Sequence, residues 1–222
     1  MTDRKAIVAA LQQTTSDEGL QWCGIAPAIE SAGFSDLVRW IEAGYAGGMS
    51  YLADRIEAYR HPDAVLSGVR SIAVVAMPYT AANLTSTSTA DQVATFIDSD
   101  SIAFDRGQPN AIKPPTTGRI ARYAHSGDDY HDIIHPKLKR LCKRIAEFAP
   151  ESRSRGVVDT APLLEREVAQ LSGFGWRAKN TLLLNKQLGS YFFLACVLTD
   201  VDLPIDTPHE TSHCGTCTAC LD

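Results

Sequence analysis

The apolar run Ser71-Ile-Ala-Val-Val-Ala-Met77, stopped by Pro78, constrains the fold of this chain more than any other stretch. It has almost no polar alternation, so it suits a central strand buried on both faces, with layers of structure above and below. The rest of the sequence supplies those layers. Residues 3 to 15 carry Ile7 and Leu11 at helical spacing, and Leu20–Ala26 reads as a short strand. Ser35-Asp36 is placed to cap a helix over Leu37–Ala43, ended by Gly44. Asp128-Asp129 opens a helix over Tyr130–Phe148 with an apolar stripe of Ile133, Ile134, Leu138, Leu141 and Ile145. Its other face, around Lys137, Lys139, Arg140, Lys143 and Arg144, is basic and reads as a solvated face. Gly156–Asp159 is a strand ending in an acid, and Pro162 starts a helix over Leu163–Leu171. Asn180–Leu184 and Tyr191–Leu198 read as further strands. The expected class is α/β (α+β), a mixed β-sheet flanked by helices.

Between these elements, residues 81–118 are rich in Thr, Ser, Ala, Asn and Pro and read as a long loop or insertion. The first 201 residues form the expected main domain, and 202–222 a Pro-rich linker leading to a cysteine motif. A net charge of −5 gives no general attraction to nucleic acid. No run approaches the length of a membrane span, and Ile7–Leu11 is too short for a secretory apolar region. Cys23, Cys142 and Cys196 are scattered in apolar surroundings as free thiols, which suits a reducing cytoplasm.

The remaining cysteines form Cys214-Gly-Thr-Cys217-Thr-Ala-Cys220, two consecutive two-residue gaps. That spacing matches three corners of an iron–sulfur cubane; ferredoxin-type runs continue with x3 and a fourth cysteine. The sequence stops at Leu221-Asp222 without it. The same three thiolates with His213 or His209 would also make a zinc set.

A series of ordered motifs then carries a resemblance. Val158-Asp159-Thr160-Ala161-Pro162-Leu-Leu-Glu165-Arg166 is followed by Gly175-Trp176, Lys179-Asn180-Thr181-Leu182-Leu183, Gly189-Ser190-Tyr191-Phe192-Phe193 and the cysteines. Upstream stand Gly48-Met49-Ser-Tyr51-Leu52, Arg60-His-Pro62, Arg119-Ile-Ala-Arg122-Tyr123-Ala124 and Asp129-Tyr130-His131. With these motifs the chain resembles the epoxyqueuosine reductases, which reduce an epoxide on the wobble base in tRNA queuosine biosynthesis. The resemblance covers nearly everything outside 81–118.

The resemblance implies a cobalamin-binding catalytic domain over residues 1–201, served by 4Fe-4S clusters that feed electrons to cobalt. It places the proton donor at Asp159, with Asp129 as the neighbouring acid that raises its proton affinity. It places Arg60, Arg122, Tyr130, His131, Lys179, Asn180, Leu183 and Asn185 around the corrin, and assigns Cys214, Cys217 and Cys220 to a cluster with an incomplete ligand set. It implies a tRNA substrate, an electron donor, and a second polypeptide to supply the rest of the cluster region. Ala161 and Arg177-Ala178 depart from the family pattern, in which smaller residues stand there. The alternative function is a non-catalytic corrinoid- or partner-binding module of the same fold.

Overall fold

In a computed structural model, residues 3–79 and 121–221 are described. The expectation for 81–118 falls outside them. Contacts divide the chain into one unit of Met1–Pro78 with Asp129–Asp222 and a second of Tyr79–Asp128.

The first unit is built on a four-stranded sheet. Its strands are β1 (Gln21–Pro27), β2 (Ser71–Pro78), β3 (Ser154–Val157) and β6 (Phe192–Thr199), in the order β1-β2-β6-β3. The expected sheet flanked by helices is present, and all three of its strand pairs are antiparallel. A second ladder of two residues joins β4 (Trp176–Arg177) to β5 (Leu183–Leu184). The helices are α1 (Arg4–Asp17), α2 (Phe34–Glu42), α3 (Ser50–Asp54), α4 (Tyr130–Phe148) and α5 (Glu165–Leu171).

Strand β2 is buried on both sides, as its composition demands, and its residues alternate between two cores. Ile72, Val74 and Ala76 face Val168, Ala169 and Phe174, on and just beyond α5. Ala73 and Val75 face Ile7 and Leu11 of α1 and the stripe Ile134, Leu138, Leu141 and Ile145 of α4. A bulge lets β1 serve both layers: Trp22 pairs with Val75 and Gly24 with Val74, leaving Cys23 unopposed. Two glycines set how closely the layers approach. A β-carbon on Gly156 would lie 2.5 Å from Leu138 Cβ, so β3 can pack against α4 only without a side chain there. One on Gly24, whose φ is 127°, would lie 2.3 Å from the Ser172 carbonyl oxygen.

Four elements differ from the sequence reading, the first being the strand expected over Asn180–Leu184, which is only Leu183–Leu184 because the chain turns at Thr181, whose φ is 67°. Strand β3 ends at Val157, because the chain turns sharply at Asp159 instead of extending through it. Helix α5 starts at Glu165 rather than Leu163; short turns from Thr160 N–H to Val158 O and Leu163 N–H to Ala161 O take up the intervening residues. Helix α2 starts at Phe34, and the Glu167 carboxylate of α5, not Ser35 or Asp36, accepts from Ala32 N–H and Gly33 N–H at 2.6 and 2.9 Å. The segment from residue 202 is packed rather than free: Leu203 is buried, and Asp206 accepts from Ile25 N–H at 2.8 Å and donates to Ile25 O at 3.0 Å.

In the second unit, Arg122–Ser126 forms a 3-10 helix closed by left-handed Gly127, and Tyr79 meets Tyr123 edge to face.

Candidate active site

The start of α4 and the loop after β3 bring four side chains together. Asp129 is the helix cap: its Oδ1 accepts from His131 N–H at 2.9 Å, satisfying a free amide of the first turn. The cap fixes where the next two side chains leave the helix. Tyr130 is stacked between Phe193 of β6, with centroids 4.0 Å apart, and the His131 ring, 4.2 Å away. Its hydroxyl donates to Asp159 Oδ2. The His131 ring spans the two acids, with Nδ1 2.7 Å from Asp129 Oδ1 and Nε2 2.8 Å from Asp159 Oδ1. Asp159 reaches this position with φ at 38°, rare for a residue with a β-carbon and a mark of local strain. Although bonded twice, its side chain remains 51% exposed.

Both ring nitrogens of His131 face carboxylate oxygens, and both can donate only when the ring is an imidazolium. The bond to Asp159 accordingly raises the His131 pKa; burial opposes this, and the bond to Asp129 adds to it. The backbone N–H of His131, then its ring, hold Asp129 below the usual carboxylate range. The expected like-charge meeting of Asp129 with Asp159 is therefore mediated by the His131 ring, which stands between the two carboxyls. The cluster is a proton-holding unit: an acid open to solvent, a phenol and an imidazolium donating into it, and a second acid orienting the imidazole.

A cavity of about 570 Å³, a size that suits small ligands, is lined by Gly33, Leu37, Leu163, Glu165, Arg177 and Thr181 among others, and by none of the four cluster residues. Glu165 went unassigned in the sequence reading, although it stands in a quoted motif. Its Oε1 is out of contact with solvent and has no hydrogen-bond partner. Burial, reinforced by the charge of Asp159, pushes its pKa up to about 7. The only sequence signal was its place in that motif; the burial comes from the tertiary fold.

The other expected site residues of the first unit have partners of their own, among the described residues. Arg60 bonds to Glu57 at 2.9 Å and Glu30 at 3.3 Å and lies 4.1 Å over the Phe34 ring. Arg122 opens the 3-10 helix of the second unit. Asn180 Oδ1 accepts from Leu182 N–H, and Leu183 is buried. Asn185 donates to Phe174 O at 2.7 Å and accepts from the amides of Gln187 and Leu188. Lys179 bonds the carbonyls of Gly215 and Cys217 at 2.8 and 2.9 Å and so anchors the cysteine turn.

Cys214 and Cys217 share that turn, with Cys217 N–H donating to Cys214 O. The Lys179 backbone and the Trp176 indole beside it draw the Cys214 thiol below its ordinary pKa. His209 and His213 pack on Trp176 at 5.8 and 4.7 Å. Among the described residues no group of three or more His, Cys, Asp or Glu is arranged to hold a metal ion.

Comparison with known proteins agrees with these motifs. The family described as Epoxyqueuosine reductase QueG, DUF1730, matches residues 60–160. The epoxyqueuosine reductase of Cyclobacterium marinum is 35% identical over 215 residues, spanning 96% of this chain and 60% of its own length. That of Pseudomonas aeruginosa is 34% identical over 221 residues, spanning 99% and 55%. The solved epoxyqueuosine reductase of Streptococcus thermophilus superposes with a TM-score of 0.70 at 25% identity, over 97% of this chain and 51% of its own. An epoxyqueuosine reductase crystallised with a tRNA-Tyr epoxyqueuosine-modified stem loop shares the fold, with a TM-score of 0.71 at 24% identity over 99% and 52%. The chain thus spans about half the length of the relatives it matches. In sequence and in fold, the chain is similar to the epoxyqueuosine reductases along nearly its whole length.

Proposed function

We propose that this chain is the corrinoid-binding, proton-delivering half of an epoxyqueuosine reductase, acting on the epoxide of epoxyqueuosine in tRNA. The observation that supports it is Asp159: a carboxyl held by Tyr130 and His131 yet left half open to solvent. Opening an epoxide leaves an alkoxide, which departs from carbon only as it gains a proton. A positioned acid is worth about 10²–10⁴ in rate for such a step. Asp159 is the group that reaches outward. Tyr130 and His131 aim its two oxygens, and the imidazolium is the proton store behind it. Asp129 keeps that store charged and turned the right way.

A bound corrinoid would supply the electrons at the substrate carbon. The half-exposed side chain of Asp159, with Tyr130 and His131 bonded to it, is the group such a corrinoid would meet. The cysteines fit less well. Cys214, Cys217 and Cys220 have the donor chemistry of three cluster corners, but the described residues gather no metal-holding group. No electron step is therefore assigned to these cysteines.

The test is anaerobic titration of the protein with cobalamin, followed by turnover of an epoxyqueuosine-modified stem loop with an artificial reductant. A base-off corrinoid spectrum, with product lost by about 10²–10⁴ in Asp159→Asn while the spectrum stays the same, is the expected result. A free-cobalamin spectrum that the protein leaves unaltered would refute the reading. Corrinoid binding without turnover would make the chain a binding module.

A further inference from the structure

We propose that Cys214 and Cys217 form a thiol–disulfide pair, a site that exchanges two electrons with small disulfides, and that Cys220 stands outside it. The inference takes up the poor fit of the three cysteines to a metal centre. It lies apart from epoxide reduction and does not rest on the chemistry at Asp159.

The two spacings in Cys214-x2-Cys217-x2-Cys220 are equal in the sequence, and the fold makes them unequal. Cys214 and Cys217 end one hydrogen-bonded turn: Cys217 N–H donates to Cys214 O at 2.9 Å, across a Gly215 with φ at 46°. A turn of this kind holds its end α-carbons within about 7 Å. That is the reach of a disulfide, whose α-carbons lie about 4.4–6.8 Å apart. Among the described residues, Cys217 and Cys220 share no such turn. The next one is offset by a residue, with Leu221 N–H donating to Thr218 O at 2.7 Å. The Cys217 carbonyl, which a turn to Cys220 would use, accepts from Lys179 Nζ instead, at 2.9 Å. The same ammonium holds Gly215 O at 2.8 Å, so both of its bonds stiffen the stretch that ends at Cys217.

The two thiols of the turn are also unequal in access. Both are free, with Cys217 exposed and Cys214 half-buried. Cys217 is therefore the thiol that meets an incoming disulfide, and Cys214 the one that resolves the product. A metal set asks for a different arrangement, with three or more donors turned to a common point. The described residues hold none.

The exchange balances without a metal. The Cys217 thiolate attacks one sulfur of a disulfide RSSR; a bond forms to that sulfur, the original S–S bond breaks, and RS⁻ leaves. Cys214 gives its proton to solvent and attacks Cys217 Sγ, which forms the Cys214–Cys217 bond and expels the second RS⁻. The two leaving thiolates take up the two protons that the pair has lost. The pair is oxidised by two electrons, RSSR is reduced by the same two, and excess thiol reverses the reaction.

The test equilibrates the whole chain in glutathione buffers of rising disulfide-to-thiol ratio, then quenches with acid, alkylates and maps the peptides by mass. We expect a reversible bridge from Cys214 to Cys217 that persists in Cys220→Ser and is lost in Cys214→Ser and in Cys217→Ser. In Cys214→Ser, glutathione stays trapped on Cys217. Three results overturn the proposal: a wild-type bridge that runs through Cys220, no bridge at any ratio, or three thiols shielded from alkylation until a chelator strips iron or zinc from them. The readout needs neither corrinoid nor tRNA, so it is decided separately from the proposed function.

Discussion

Replacing Gly24 by alanine tests the closest approach between layers. The added β-carbon would lie 2.3 Å from the Ser172 carbonyl oxygen and 2.9 Å from Asp206 Oδ2, far inside ordinary contact. Neither neighbour yields easily: Ser172 caps α5, and Asp206 is held by two bonds to Ile25. Backbone strain at a φ of 127° costs about 1–3 kcal/mol for a residue with a β-carbon. Forcing an extra carbon into a packed layer costs about 1–3 kcal/mol more. The expected loss is therefore roughly 2–6 kcal/mol, a large part of the stability of a domain this size. Gly19 is the control: its φ is 67°, but nothing lies within 4 Å of its β-carbon position, so Gly19→Ala should cost only about 1–2 kcal/mol. Urea unfolding followed by circular dichroism measures both variants. Equal midpoints would show that the contact with Ser172 and Asp206 does not govern the packing of β1.

His131 stabilises the fold through a raised pKa, so its contribution is complete below its ordinary value and fades as pH climbs through the folded value. The stability gap between wild type and His131→Gln should accordingly be wider at pH 5.5 than at pH 9, read by thermal unfolding. Asp129 has the opposite sign: the gap to Asp129→Asn should be present at neutral pH and close as acid carries the solution through its lowered pKa. Tyr130→Phe removes one donor to Asp159 while keeping the stack on Phe193; it should cost about 0.5–1.5 kcal/mol and slow turnover, and full activity would exclude the phenol from proton handling. Lys179→Met should speed hydrogen exchange at the Cys217 amide, because the two carbonyl anchors of the cysteine turn are lost; unchanged protection there would deny the anchoring role.

Helix α4 was legible to its ends: a capping acid, an apolar stripe and a basic outer face are local signals, and Tyr130–Phe148 formed with Ile134, Leu138, Leu141 and Ile145 buried as read, while Ile133 of the expected stripe is exposed. Strand β2 was equally plain, since burial on both faces leaves no polar position to mistake. The loop after β3 was not. Its tight turns and the positive φ of Asp159 are imposed by packing, and propensity placed a strand and an early helix start there. At the site, Asp129, Tyr130, His131 and Asp159 carried motif signals and meet in space. Glu165 had no local mark, because its character comes from what the tertiary structure piles around it. The partners of Lys179 are backbone carbonyls far along the chain, a pairing no spacing rule reveals.

The docking of Asp206 has a meaning beyond stability. Strand β1 is the outermost strand on its side of the sheet, and its outward rung would otherwise present an unpaired amide and carbonyl at Ile25. Such open borders recruit strands from other molecules. Asp206 closes the rung with a carboxylate on the amide and its own amide on the carbonyl, in a form that offers no continuing ladder. The segment leading to the cysteines thus doubles as a guard against self-association.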